Sequence, residues 1–143
     1  MFTFPARYED RLITLLRYTL AVIFIWFGGL KILGYNPVVD LIENSLAPFL
    51  ASGGGLIGLG IFETVVGALL AANRLVRLTH VVLVLHLLGT FSTFLVGFDV
   101  VFDPYFPILS LNGEFVIKNM TLAVAGLVVL VHESRRRQER NAT

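Results

Sequence analysis

The run from Gly53 to Asn73, GGGLIGLGIFETVVGALLAAN, limits what this chain can become more than any other stretch. Before its closing asparagine everything in it is apolar or small except Thr64 and a single carboxylate, Glu63. At about 1.5 Å per helical residue such a run crosses a hydrocarbon core about 30 Å thick. Glu63 then falls roughly 14 Å from Gly54, at mid-depth. A carboxylate there is costly and needs a partner, so it marks a candidate functional position. Gly60, Glu63, Thr64, Gly67 and Ala71 recur at helical spacing, so the acid shares a face with the small residues that let a second helix approach closely. Glu63 is expected to point into a bundle.

Composition agrees with a membrane setting. Of 143 residues, 56% are hydrophobic and 15% charged, with a mean hydropathy of +0.81, where a soluble domain carries nearer about 25% charge. The length allows one domain, residues 1–143. Cysteine is absent, which removes thiolate chemistry, CxxC motifs and cysteine-held clusters. A net charge of +1 gives no reason to expect nucleic acid.

Four spans are predicted, near 12–34, 54–73, 76–97 and 114–132, followed by a basic tail over 133–143. A polar arm, Met1 to Arg11, precedes the first, which is read as retained rather than cleaved because its apolar run exceeds a signal-peptide core. Arg17 and Lys31 near its ends can snorkel to the interfaces. Yet Arg17, Ala21, Phe24, Gly28 and Lys31 share one stripe, which turns Lys31 toward the same interior as Glu63. Tyr35 to Ser52 reads as a short interfacial helix with Val38, Leu41, Ile42, Leu46 and Phe49 on one side and Asp40 and Glu43 toward water. In the third span His86, Gly89, Thr90, Thr93 and Gly97 form the polar and small stripe, with His86 level with Glu63. The proline-broken, aromatic run Phe98 to Gly113 suits an interface, and with Tyr35–Ser52 it is expected to cap the outer end. Glu114, Lys118, Thr121, Ala125 and His132 share a face of the last span. The arginine run after it reads as a stop-transfer anchor rather than a nucleic-acid tail.

The basic residues set an orientation. Arg7, Arg11, Arg74, Arg77 and the four C-terminal arginines lie on one side of a four-span arrangement, and Asp40, Glu43, Asp99 and Asp103 on the other. By the positive-inside rule both termini are expected in the cytoplasm.

The stripes together predict an all-α integral membrane four-helix bundle with a partly polar interior and an interfacial cap on its outer face. From estimated depths, Lys118 or His86 is the first expected partner of Glu63, and Lys31 a second. One reading makes the charges a pair that sets helix register. The other makes Lys31, Glu63, His86, Thr90, Glu114 and Lys118 a polar pocket, open toward the outer face. Such a pocket would bind an anionic or carbonyl-bearing ligand, or pass a proton between Glu63 and His86. Haem between His80 and His132 is disfavoured because His80 lies off the polar stripe, and neither metal-ligand spacing nor a phosphate loop is present.

Three short motifs in order, Trp26-Phe27-Gly28-Gly29-Leu30-Lys31, Gly60-Ile61-Phe62-Glu63 with Gly67, and Asn112-Gly113-Glu114-Phe115-Val116-Ile117-Lys118-Asn119, resemble the DoxX-like membrane proteins. Within these they are most similar to the YkgB type associated with resistance to reactive chlorine species. The chain departs from that type in a short first outer connection and in Asn119, where an aspartate is usual. The resemblance implies a four-helix protein of the bacterial inner membrane, linked to redox or oxidant stress, sometimes beside a quinone-reducing enzyme. A quinone is then the possible cofactor, and any electron chemistry needs that quinone or a partner subunit. The alternative is a non-catalytic structural or assembly subunit, as a homo-oligomer or with another membrane protein. The lipid bilayer is the partner common to both.

Overall fold

Close approach of two glycine-bearing helices organises the molecule. In the computed structural model, which describes residues 6–142 apart from the side chains of Ala6, Arg7 and His80, α1 (Ala6–Ile32) packs antiparallel against a later helix, Gly53–Ala72. The expectations for the start of the polar arm, for Arg7 and for the His80 ring lie outside the described residues. Gly34, at a φ of +83° that favours glycine, ends α1 as the Tyr35 amide donates back to Leu30 at 2.8 Å. There follow α2 (Val39–Glu43), a 3-10 turn at Pro48–Leu50, and α3 (Gly53–Ala72). Asn73 closes α3 in the left-handed conformation, with the Arg74 amide donating to Leu69 at 3.1 Å. α4 (Val76–Phe91) and the short α5 (Thr93–Val96) make up the third apolar rod, and α6 (Phe98–Val101) leads into the loop before the last rod. α7 (Leu111–Ala142) begins where the Ser110 hydroxyl accepts from the Gly113 amide at 2.9 Å.

The rods over Tyr8–Ile32, Gly53–Ala72, Val76–Val96 and Leu111–Ala142 are each long and apolar enough to cross a membrane. Among the described residues no strand forms; Phe102 and Leu109 make one isolated bridge in the loop. The chain is thus an all-α bundle of the integral membrane kind. Its core joins Leu20, Ala21 and Phe24 of α1, Val66 and Leu70 of α3, Leu83 and Leu87 of α4, and Val129 and Leu130 of α7.

The boundaries differ from the sequence expectation at both ends. α1 is already formed at Ala6, the first described residue, and α7 runs on to Ala142, so the basic segment continues the last helix. Contacts between these extensions explain it. Asp10 meets His132 at 3.1 Å and Arg136 at 3.4 Å, and the Asn73 side chain donates to the buried Glu133 at 2.8 Å. Arg17 does not snorkel. It is buried and donates to the Leu70 and Ala71 carbonyls, both at 2.7 Å, closing the end of α3 where unpaired carbonyls and the helix dipole favour a cation.

At the opposite end the interfacial helix is shorter than expected, since α2 stops at Glu43. Leu41 is buried, but Leu46 and Phe49 face outward. Phe94, Phe98, Phe102 and Phe106 form a ladder of rings with successive centroids 6.2 Å (Phe94–Phe102), 4.6 Å (Phe98–Phe102) and 5.2 Å (Phe102–Phe106) apart. Aromatic clusters of this kind suit the membrane interface.

Candidate functional site

The close packing of α1 on α3 decides which charges meet. A side-chain carbon placed on Gly28 would lie 2.6 Å from the Gly60 carbonyl oxygen, and one on Gly60 would lie 2.6 Å from that of Gly28 and 2.9 Å from Cβ of Lys31. Lys31 therefore stands level with Gly60, one helical turn from Glu63, and its stem runs along α3 to the carboxylate. The Lys31 Nζ donates to Glu63 Oε2 at 2.8 Å, and the two side chains are 7% and 6% exposed. The second oxygen, Oε1, lies 3.3 Å from His86 Nε2 on α4. With the proton on Nε2 a neutral imidazole donates to that oxygen, so an ammonium and an imidazole satisfy one carboxylate while the charges cancel. Phe24 and Phe62 hold the imidazole in place, with centroids 5.7 Å and 5.8 Å from it.

This cluster forms one wall of a cavity of about 500 Å³, a size typical of small-molecule sites. The rest of the lining is mainly apolar and comes from every rod and from the segment between α1 and α3. Thr90 also lines it, its hydroxyl donating to the His86 carbonyl at 3.3 Å. The α2 segment lies over the end of the cavity away from the Asn73–Leu75 turn, where Thr93 donates to the Leu41 carbonyl at 3.2 Å and the Leu46 amide donates to Ser92 Oγ at 3.0 Å. This segment therefore supplies the cavity wall at the end where an opening is expected.

Of the residues expected at the site, Lys31, Glu63, His86 and Thr90 come together. Glu114 and Lys118 do not. They pair with each other at 2.7 Å on the surface, Lys118 with its side chain 74% exposed. The preference for Lys118 over Lys31 as partner of Glu63 is corrected on two grounds. The glycine contact carries Lys31 to the carboxylate, and the buried face of α7 follows Gly113, Val116, Asn119 and Gly126, which turns Lys118 away. Asn119, next in the chain to Lys118, is the polar residue that α7 gives to the cavity. Its spacing from Val116 and Gly126 is the signal that could have found it. Phe27, Phe62 and Phe115 also line the cavity; each lies in one of the three short motifs, but no helical spacing singles it out.

Chemically the site offers an ammonium and an imidazole as donors and a carboxylate as acceptor, at the edge of an apolar space. It suits a molecule with a small polar head and an apolar body, and Glu63 and His86 are close enough to exchange a proton. No protein-family model matches the chain, and neither a curated protein nor a solved structure matches it.

Proposed function

We propose that this chain is a membrane subunit that binds a small apolar molecule with a carbonyl-bearing head, of the quinone class, with the head against Lys31, Glu63 and His86. The observation that carries the reading is the position of the buried Lys31–Glu63–His86 cluster on the wall of the apolar cavity of about 500 Å³. A pair needed only to fix helix register has no use for such a space beside it. What the DoxX-like resemblance implies, a redox or oxidant-stress role in a bacterial inner membrane, agrees with a site for a quinone whose electrons come from a partner subunit. In this role the Lys31 ammonium donates to a carbonyl oxygen, while Glu63 orients Lys31 and shares a proton with His86.

The second reading, a structural or assembly subunit, is favoured by the 2.8 Å Lys31–Glu63 contact, in which the two charges already satisfy each other. Equilibrium binding of a decyl-substituted benzoquinone to the full chain in nanodiscs separates the two. Saturable binding is expected, weakened roughly tenfold or more in the double variant Lys31→Met/Glu63→Gln, because hydrogen bonds from charged groups are worth about 1.5–3 kcal/mol and about 1.4 kcal/mol is tenfold. The double variant is chosen because it strands no buried charge. Equal affinity in the two proteins, or no saturable binding at all, would leave the pair as a packing device.

A further inference from the structure

The wall of the cavity is uneven. Lining residues on α1, on α7 and in the segment over the outer end are buried or half-buried, whereas the exposed ones are Gly58 and Phe62 of α3 and Leu85 and Gly89 of α4. Each pair is spaced i, i+4, so each occupies a single helix face. The two helices are joined at their inner end by the Asn73–Leu75 turn, and at mid-depth the Phe62 ring lies 5.8 Å from the His86 ring. Outward of that contact both lips carry glycine, and a side-chain carbon on Gly58 or Gly89 would meet no atom within 4 Å. The result is a slot that runs from the surface to the Lys31–Glu63–His86 cluster.

The surroundings of the slot indicate what passes through it. Ile57, Ile61, Leu85 and Leu88 beside it are exposed and apolar, on the side of membrane-length helices that hydrocarbon would cover. A charged, water-soluble molecule crossing that rim would lose its hydration without compensation, whereas a hydrocarbon chain loses nothing. At the outer end the wall is the segment over residues 38–50, tied to Ser92 and Thr93 through Leu46 and Leu41. A cavity of about 500 Å³ holds a ring and a short chain, and the rest of a long tail needs a way out.

We infer that the slot between α3 and α4 is a lateral portal: the ligand is a lipid-soluble molecule drawn from the bilayer, its head at Lys31, Glu63 and His86 and its hydrocarbon tail lying between Gly58 and Gly89. This rests on the ligand-binding reading above and adds to it the source of the ligand and the need for a tail.

The test is the variant Gly58→Leu/Gly89→Leu of the full chain in nanodiscs, with two probes: a decyl-substituted benzoquinone, and the same ring without a tail. Both substitutions enter open space, and leucine is the better helix former, so the melting temperature is expected to stay at the wild-type value or rise. The filled slot is expected to weaken equilibrium binding of the tailed quinone at least roughly tenfold while the tail-less ring keeps its affinity. Unchanged affinity for the tailed quinone overturns the portal, and so does an equal loss for both probes, which would mean that the leucines fill the cavity rather than the slot. Failure of the wild-type chain to bind either probe is a different result: it removes the ligand reading, and the portal with it.

Discussion

Glu63 accepts from two groups of unequal strength, and the difference determines what each substitution costs. Glu63→Gln leaves the buried Lys31 ammonium without its counter-charge, and Lys31→Met leaves a buried carboxylate with the imidazole alone. Breaking a buried pair in this way costs about 3–5 kcal/mol, whereas removing both charges is far cheaper. Thermal unfolding in detergent is therefore expected to show two strongly destabilised single variants and a double variant that recovers most of the loss. Lys118→Met serves as the control and is expected to melt with wild type, since Lys118 reaches only Glu114 at the surface; additive losses for Lys31 and Glu63, or a large loss for Lys118, would reverse the assignment. Sequence made Glu63, His86 and Thr90 legible because apolar runs leave so few polar residues to place. It misplaces Lys118 and Glu114, because polarity alone does not turn a side chain inward. Close to the outer end of a helix a lysine reaches water as readily as the interior, so there burial follows the spacing of the small and apolar residues.

Between elements, the α1–α3 contact shows where periodicity was enough. The stripe Arg17, Ala21, Phe24, Gly28 and Lys31 is buried throughout, and Gly60 and Gly67 receive it. Close approach of this kind drives helix association where lipid offers no hydrophobic gain. A methyl group at Gly60 has no free space, because it would meet the Gly28 carbonyl and the Lys31 stem. Gly60→Ala is accordingly expected to destabilise by about 1–3 kcal/mol through overpacking and to lower quinone affinity by moving Lys31 away from Glu63. Gly29→Ala, on α1 and with open space around it, is expected to do neither. Equal melting temperatures for the Gly60 and Gly29 variants would show that the helices do not depend on this contact. A polar pocket is legible in the sequence, but neither its size nor its largely apolar lining is. Its outer wall comes from residues 38–50, whose pattern predicts an amphipathic surface helix but not its position over the third rod. That position is set by hydrogen bonds from Thr93 and to Ser92, 46 or more residues away in the chain.

For the whole molecule, the remaining question is which end of the bundle faces the cytoplasm. Contacts fix which residues share an end: Asp10 meets Arg136, and the Arg137 guanidinium donates to the Asn73 carbonyl, so the start of α1, the last turns of α7 and the α3–α4 turn lie together. Arg11, Arg74, Arg77, Arg135 and Arg136 are exposed there, while Asp40, Glu43, Asp99 and Asp103 are exposed at the other end beside the phenylalanine ladder. Acidic residues contribute little to orientation, whereas arginines close to span ends resist translocation. The arginine-bearing end is thus expected in the cytoplasm, and the α2 segment over the cavity outside. Because the chain has no cysteine, single introductions give an unambiguous readout. With a membrane-impermeant thiol reagent on intact cells, Asp103→Cys is expected to label at once and Asn141→Cys only after lysis; both positions are exposed in the fold, so protection would come from the membrane rather than from burial. The reverse pattern would invert the molecule. Labelling of both in intact cells would put both positions on one side and show that α7, the rod between them, does not cross the bilayer.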